Sequence, residues 1–273
     1  MRPVPTARRP RPALGRPPLL LLAPAAAALL LLLLPLVALV ARAPFSSLPG
    51  LLTSAAVRDA LWLSVWTATA AMLLCLLLGL PLAWVLARVE FRGRTLLRAL
   101  VTVPLVLPPV VAGVALLAAF GRTGLVGAPL RDLGVTIPYT STAVVLAHTF
   151  VALPFFVVSV EGALRAAGRQ YDEVAAALGA SRWLIFRRVT VPLALPGVVA
   201  GMVLGWARSL GEFGATITFA GNYPGITRTM PLAVYSALAR DPEAALALSL
   251  VMLLVSVAVL ALLRERWFGQ VVR

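Results

Sequence analysis

YDEVAAALGASRWLIFRRVTVP, residues 171–192, is a polar, arginine-studded stretch set between two long apolar runs, 141–160 and 196–220. Each flanking run is long enough to cross the roughly 30 Å hydrocarbon layer of a bilayer, so the segment between them is expected in water on one face. Its own pattern predicts two short helices around a turn. Residues 173–178 are rich in alanine, Gly179 sits where a helix C-terminus wants a left-handed residue, and Ser181 is placed to cap a second turn carrying Leu184, Ile185 and Phe186. Such a pair reads as a docking element; the alternative is an ordinary amphipathic loop.

The rest of the chain sets the context. Hydrophobic residues make up 61% of the sequence and the mean hydropathy is +0.97, more than a soluble domain of 273 residues can hide. Six apolar runs stand out, near 18–41, 60–87, 97–120, 141–160, 196–220 and 244–263. They predict an all-α integral membrane protein with six transmembrane helices in one domain, 17–273, with the polar segment at about 164–192. The runs are continuous rather than alternating, which excludes a membrane β-barrel. Arg2, Arg8, Arg9, Arg11 and Arg16 precede the first run and Ala41-Arg42-Ala43 mimics a cleavage site. The run exceeds a signal peptide's apolar core, so it is expected to be a retained helix. Residues 1–16, with five arginines and four prolines, are expected to form a disordered tail.

The net charge of +14 is carried by 24 basic residues, all arginine, and their placement decides what it means. With the N-terminus inside, 17 arginines fall in cytoplasmic segments and six in outer ones, leaving Arg208 within a span. That asymmetry is the positive-inside signature: both termini and the segment around Glu173 are expected in the cytoplasm. Attraction to the lipid bilayer accounts for the surplus charge without nucleic acid. Cys75, the lone cysteine, reads as a packing residue, and His148 as a buried hydrogen-bonded histidine rather than a translocation group. With no phosphate-binding glycine loop, metal-ligand cluster or nucleophile-base pattern, no catalytic site, cofactor or ATP hydrolysis is expected of the chain itself.

The spans carry features that simple anchors lack. Pro104, Pro108 and Pro109 interrupt the third run and Pro154 the fourth, and each is expected to bend its helix. Packing kinks are the alternative to a moving pathway. Arg208 and Glu212 lie inside the fifth run at i and i+4, where one helix face lets them pair. Ser209 and Thr216 share that region, and Gly205, Gly211 and Gly214 allow close helix approach. A buried ion pair and a lining of the path both remain open.

The order Glu173-Val174-Ala175, then Gly179, then Val189-Thr190-Val191-Pro192 resembles the EAA loop of permease subunits of ATP-binding-cassette (ABC) importers, with every spacing met and Val174, Val189 and Val191 as small apolar departures. The resemblance implies a type I ABC importer permease fold. It makes Glu173, Ala175, Gly179, Val189 and Pro192 the ATPase-coupling positions. Residues 207–238, with GEFGAT and GN-x-PG, together with LVLPPVVAG at 105–113, are similar to molybdate permeases. Sulfate and thiosulfate permeases are near relatives, but Asn222, Pro224, Gly225 and residues 229–232 tilt the reading to molybdate or tungstate. The implied partners are an ABC ATPase, an extracytoplasmic substrate-binding protein and a second permease copy, in a bacterial inner membrane. A secondary transporter is the rival class and would need coupling-ion groups inside the spans; a lipid-facing scaffold would not need the EAA spacing.

Overall fold

The computed structural model describes the backbone over residues 19–271 and side chains over 20–259; the tail expected at 1–16 lies outside the described residues. Every regular element among them is helical. α1 (Leu19–Arg42) forms one compact unit. The other begins at Pro44. It contains α2 (Leu48–Thr53), α3 (Ala55–Leu74), a π-helical turn (Cys75–Gly79), α4 (Leu80–Arg88), α5 (Arg94–Val106), α6 (Pro109–Phe120) and α7 (Gly127–Asp132). There follow α8 (Ser141–Ala166), α9 (Gln170–Ala177), α10 (Arg182–Ile185), a second π-helical turn (Phe186–Thr190), α11 (Val191–Leu210), α12 (Gly214–Phe219), α13 (Met230–Leu238) and α14 (Pro242–Val271). Among the described residues, five helices are long and apolar enough to cross a membrane, and the pair α5–α6 makes a sixth if counted as one broken span.

The third run is broken rather than kinked: the chain turns by 117° between α5 and α6. A residue before proline is pushed out of the helical region, and here Leu107 and Pro108 both precede one. Both are extended, with ψ of 132° and 136°. Pro104 and Pro154, expected to interrupt their runs, instead lie within α5 and α8, which continue past them.

The fifth span also departs from its expected limits. A continuous helix runs Arg182–Leu210, and the apolar residues that follow belong to the separate α12. The segment expected to be loop up to Pro192 is therefore the first turns of a span. Pro192 is accommodated because the π-helical turn ends two residues before it. Gly79 and Pro81 repeat that spacing in the second span. Proline lacks an N–H and its ring crowds the carbonyl four residues back, so a wider turn just upstream relieves both problems.

α8 is the axis of the second unit. At one end Phe156, Val157, Val160 and Leu164 pack with Met72 and Leu86 of the second span and Val198 of α11. At the other, Val144, Ala147 and Val151 meet Ala112 and Leu116 of α6 and Phe219 of α12. Lipid tails are as apolar as leucine, so these helices associate through close van der Waals fit. The fit is tightest where α11 crosses α8: a Cβ on Gly197 would lie 2.1 Å from the Ala163 Cβ. Ser159 Oγ donates to the Gly197 carbonyl at 3.1 Å, and Trp206 Nε1 donates to Thr69 Oγ1 at 3.2 Å, tying α11 to α3.

Candidate functional site

The segment after α8 folds from local signals. α9 ends with paired reverse hydrogen bonds: Gly179 N donates to Ala176 O at 2.9 Å and Ala180 N to Ala175 O at 3.0 Å. This ending needs a left-handed residue, and Gly179 has φ +84°. A Cβ there would meet nothing within 4 Å, so the requirement is conformational rather than spatial. Ser181 Oγ then accepts from Leu184 N at 3.3 Å and starts α10, which runs through the π-helical turn into α11.

Glu173 is exposed and makes no ion pair among the described residues. Ala175 is half-buried with its carbonyl in the helix ending, Val189 is half-buried in the π-helical turn, and Pro192 is exposed. Around them Val174, Leu178 and Trp183 are 60%, 83% and 67% exposed, an apolar patch on an otherwise charged segment. A groove of about 440 Å³ runs beside the patch, lined in part by Trp84, Glu90, Glu173, Arg182 and Phe186.

Two acidic residues that sequence reasoning missed hold this end together. Asp172 Oδ1 accepts from Thr190 Oγ1 at 2.9 Å, and its Oδ2 lies 2.9 Å from Arg88 Nε, a charge contact without hydrogen-bond alignment. Arg88 Nη2 donates to Gly168 O at 2.6 Å. Glu161, buried in α8, accepts from Arg98 of α5 at 2.7 Å and pairs with Arg165 at 2.8 Å. The i,i+4 spacing of Glu161 and Arg165 was a readable signal, but the apolar run ended at 160 and Glu161 fell outside it.

The intramembrane charges do pair: Arg208 Nη1 lies 2.7 Å from Glu212 Oε2. They do not share one continuous helix, because α11 stops at Leu210. Glu212 Oε1 accepts from Ala215 N at 2.8 Å, so one carboxylate both neutralises Arg208 and satisfies an orphan donor at the start of α12. Glu212 is 1% exposed, whereas about a third of the Arg208 side chain is accessible. Gly214 is required here: a Cβ would lie 2.5 Å from the Pro109 Cβ, so the break in the fifth apolar run crosses the break in the third. Gly205 likewise admits Met72, while Gly211 meets only its own preceding turn. Thr216 Oγ1 and both ring nitrogens of His148 are buried without a hydrogen-bond partner among the described residues, contrary to the hydrogen-bonded histidine expected. Paired in this way, Arg208 and Glu212 carry little net charge.

The loop at 221–229 is braced within itself and against α13, and the residue after it against α3. Asn222 Oδ1 accepts from Arg228 Nε at 2.8 Å, Asn222 Nδ2 donates to Ser236 Oγ at 2.9 Å, and Met230 N donates to Ser64 Oγ at 2.7 Å.

This architecture has known counterparts. The description "Binding-protein-dependent transport system inner membrane component" matches residues 76–266. The chain belongs to that family. Within this inner membrane component family, the molybdenum transport system permease protein ModB of Mycobacterium tuberculosis is 54% identical over 226 residues, covering 83% of this chain and 86% of its own. The sulfate transport system permease protein CysT of Escherichia coli K12 is 40% identical over 183 residues, covering 67% and 66%. A crystal structure of a bacterial alginate ABC transporter, in complex with its alginate pentasaccharide-bound periplasmic protein, superposes with TM-score 0.74 at 17% identity, covering 90% of this chain and 91% of that one. The last likeness establishes the fold: this is a multi-pass membrane chain built like the permease subunits of ABC importers.

Proposed function

We propose that the chain is the permease subunit of an ATP-driven importer of a tetrahedral oxyanion, molybdate or tungstate. The observation that carries this reading is its 54% identity to a molybdenum permease over most of both chains, against shorter coverage at lower identity for the sulfate relative. Two copies form the path, an ABC ATPase docks on each segment around Glu173 and Gly179, and an extracytoplasmic binding protein delivers the anion. Both termini and the docking segment face the cytoplasm, with the loop at 221–229 outside. The exposed apolar patch of Val174, Leu178 and Trp183 supports the ATPase contact, since such surface on a charged segment marks a partner. The continuous helix Arg182–Leu210 has 29 residues, roughly 43 Å at 1.5 Å per residue. It links the dock to Arg208, Glu212 and the crossing of the two breaks, so displacement at one end reaches the other as motion of one rod. Alternating access follows from that lever, with tight binding left to the delivery protein.

The test is ATP-dependent uptake of molybdate, tungstate and sulfate in proteoliposomes holding the chain, its ATPase and the loaded binding protein. Molybdate or tungstate uptake is the expected result. Uptake of sulfate alone transfers the assignment to the sulfate branch, and uptake that ignores ATP but follows an ion gradient replaces it with secondary transport.

A further inference from the structure

α9 is a lightly packed helix. It is flanked by two left-handed glycines, Gly168 at φ +73° and Gly179 at φ +84°, so it continues as helix into neither neighbour. None of its eight residues is buried, so packing does not fix its direction. The neighbouring Arg169–Glu90 pair is exposed on both sides, and ion pairs of that kind hold little. What remains is Asp172. Its two oxygens reach two different spans: Oδ1 takes the Thr190 hydroxyl, and Oδ2 faces Arg88. The partners are well covered, with Thr190 1% exposed and the Arg88 side chain 8%.

Both anchor points are tied to a π-helical turn. Thr190 is the last residue of Phe186–Thr190, and Arg88 ends α4, which follows Cys75–Gly79. π-helical turns within α-helices concentrate at functional positions. The carboxylate therefore clamps an exposed helix to two spans that each contain one.

We propose that Asp172 is a positioning residue for transport: it fixes α9 as one body with the second and fifth spans, so that force on the docked helix moves both spans together. Without the clamp, α9 shifts against the two spans and ATP is hydrolysed without moving the gate. The inference rests on the dock assignment proposed above.

The experiment compares Asp172→Asn, Thr190→Val, Asp172→Glu and Thr190→Ser with the wild-type chain in the complete complex. Complex yield, ATP hydrolysis and molybdate uptake are measured on the same proteoliposomes. Asp172→Asn and Thr190→Val are expected to assemble within about twofold of wild type while ATP consumed per molybdate imported rises about tenfold, the size of an ordinary coupling effect. Thr190→Ser keeps the hydroxyl and Asp172→Glu keeps the charge, so both should lie closer to wild type. An unchanged ratio in Asp172→Asn and Thr190→Val overturns the inference. So does a parallel fall in yield, hydrolysis and uptake, because that is loss of structure alone. A wild-type chain that recruits no ATPase and imports no molybdate with ATP removes the proposed function itself, and this inference with it.

Discussion

The two ends of the helix Arg182–Leu210 treat polar groups differently. At the α9 end, Arg88, Asp172, Thr190 and Glu161 are matched with charged or hydroxyl partners, while apolar side chains such as Leu178 and Trp183 stand exposed. At the Arg208 end Arg208 and Glu212 pair, while Thr216 and His148 are buried with polar atoms unmatched among the described residues. An exposed apolar patch is stabilised by a partner protein, and unmatched buried polar atoms by a transient polar visitor or by water. On the function proposed above, the contrast separates a surface for protein contact from an interior for passage.

Breaking the buried end should have the largest effect. Glu212→Leu removes the counter-charge and the acceptor for Ala215 N at once. Loss of one partner of a buried pair costs about 3–5 kcal/mol, and with a third of Arg208 accessible we expect about 2–3 kcal/mol, read as a fall in complex yield and melting temperature. Glu212→Gln should lose less because it still accepts from Ala215 N, and adding Arg208→Gln should recover part of that loss. Additive losses in this cycle would eliminate the pair as a stabilising unit.

Next in size is Gly179→Val at the dock. Forcing a β-branched residue to φ +84° costs about 1–3 kcal/mol. Because a side chain there meets no neighbour, Gly179→Asn should be tolerated. ATPase co-purification distinguishes the two, and equal recovery with Val and Asn would sink the conformational argument. Smaller again is Trp183→Ala, which should leave the melting temperature unchanged yet weaken ATPase binding by about 1–2 kcal/mol in a titration, as for a typical interface anchor. The smallest effect belongs to Thr216→Val. Replacing an unmatched hydroxyl by a methyl should shift stability by less than about 1 kcal/mol. If transport falls while stability holds, Thr216 lines the path; if neither changes, it is packing.

Much of this was open to reading from the chain, and the exceptions have physical causes. The apolar runs marked the spans because backbone in lipid must satisfy itself within helices. Gly179 and Ser181 announced their turns because capping is local. The lower limit of the fifth span was hidden because Arg182, Arg187 and Arg188 lower the hydropathy of residues that are nonetheless helical. Its upper limit was hidden because Gly211, Glu212 and Gly214 sit within an apolar run, although two glycines around an acid are poor helix formers. The Pro108–Pro109 doublet was visible, but its result was underestimated: two successive pre-proline residues make a corner where one makes a bend. Asp172 was overlooked beside Glu173 because its partners Arg88 and Thr190 are distant in sequence, and only folding brings them together.

The π-helical turn at Phe186–Thr190 amounts to one residue inserted into an otherwise α-helical rod. Each residue of an α-helix advances its azimuth by about 100°, so deleting one residue there would swing α9 about 100° around the axis of the span below it. The number of residues between Gly179 and Pro192 thus acts as a compass bearing for α9. A change in count there would point the segment at the wrong neighbour, whatever side chains the remaining residues carry.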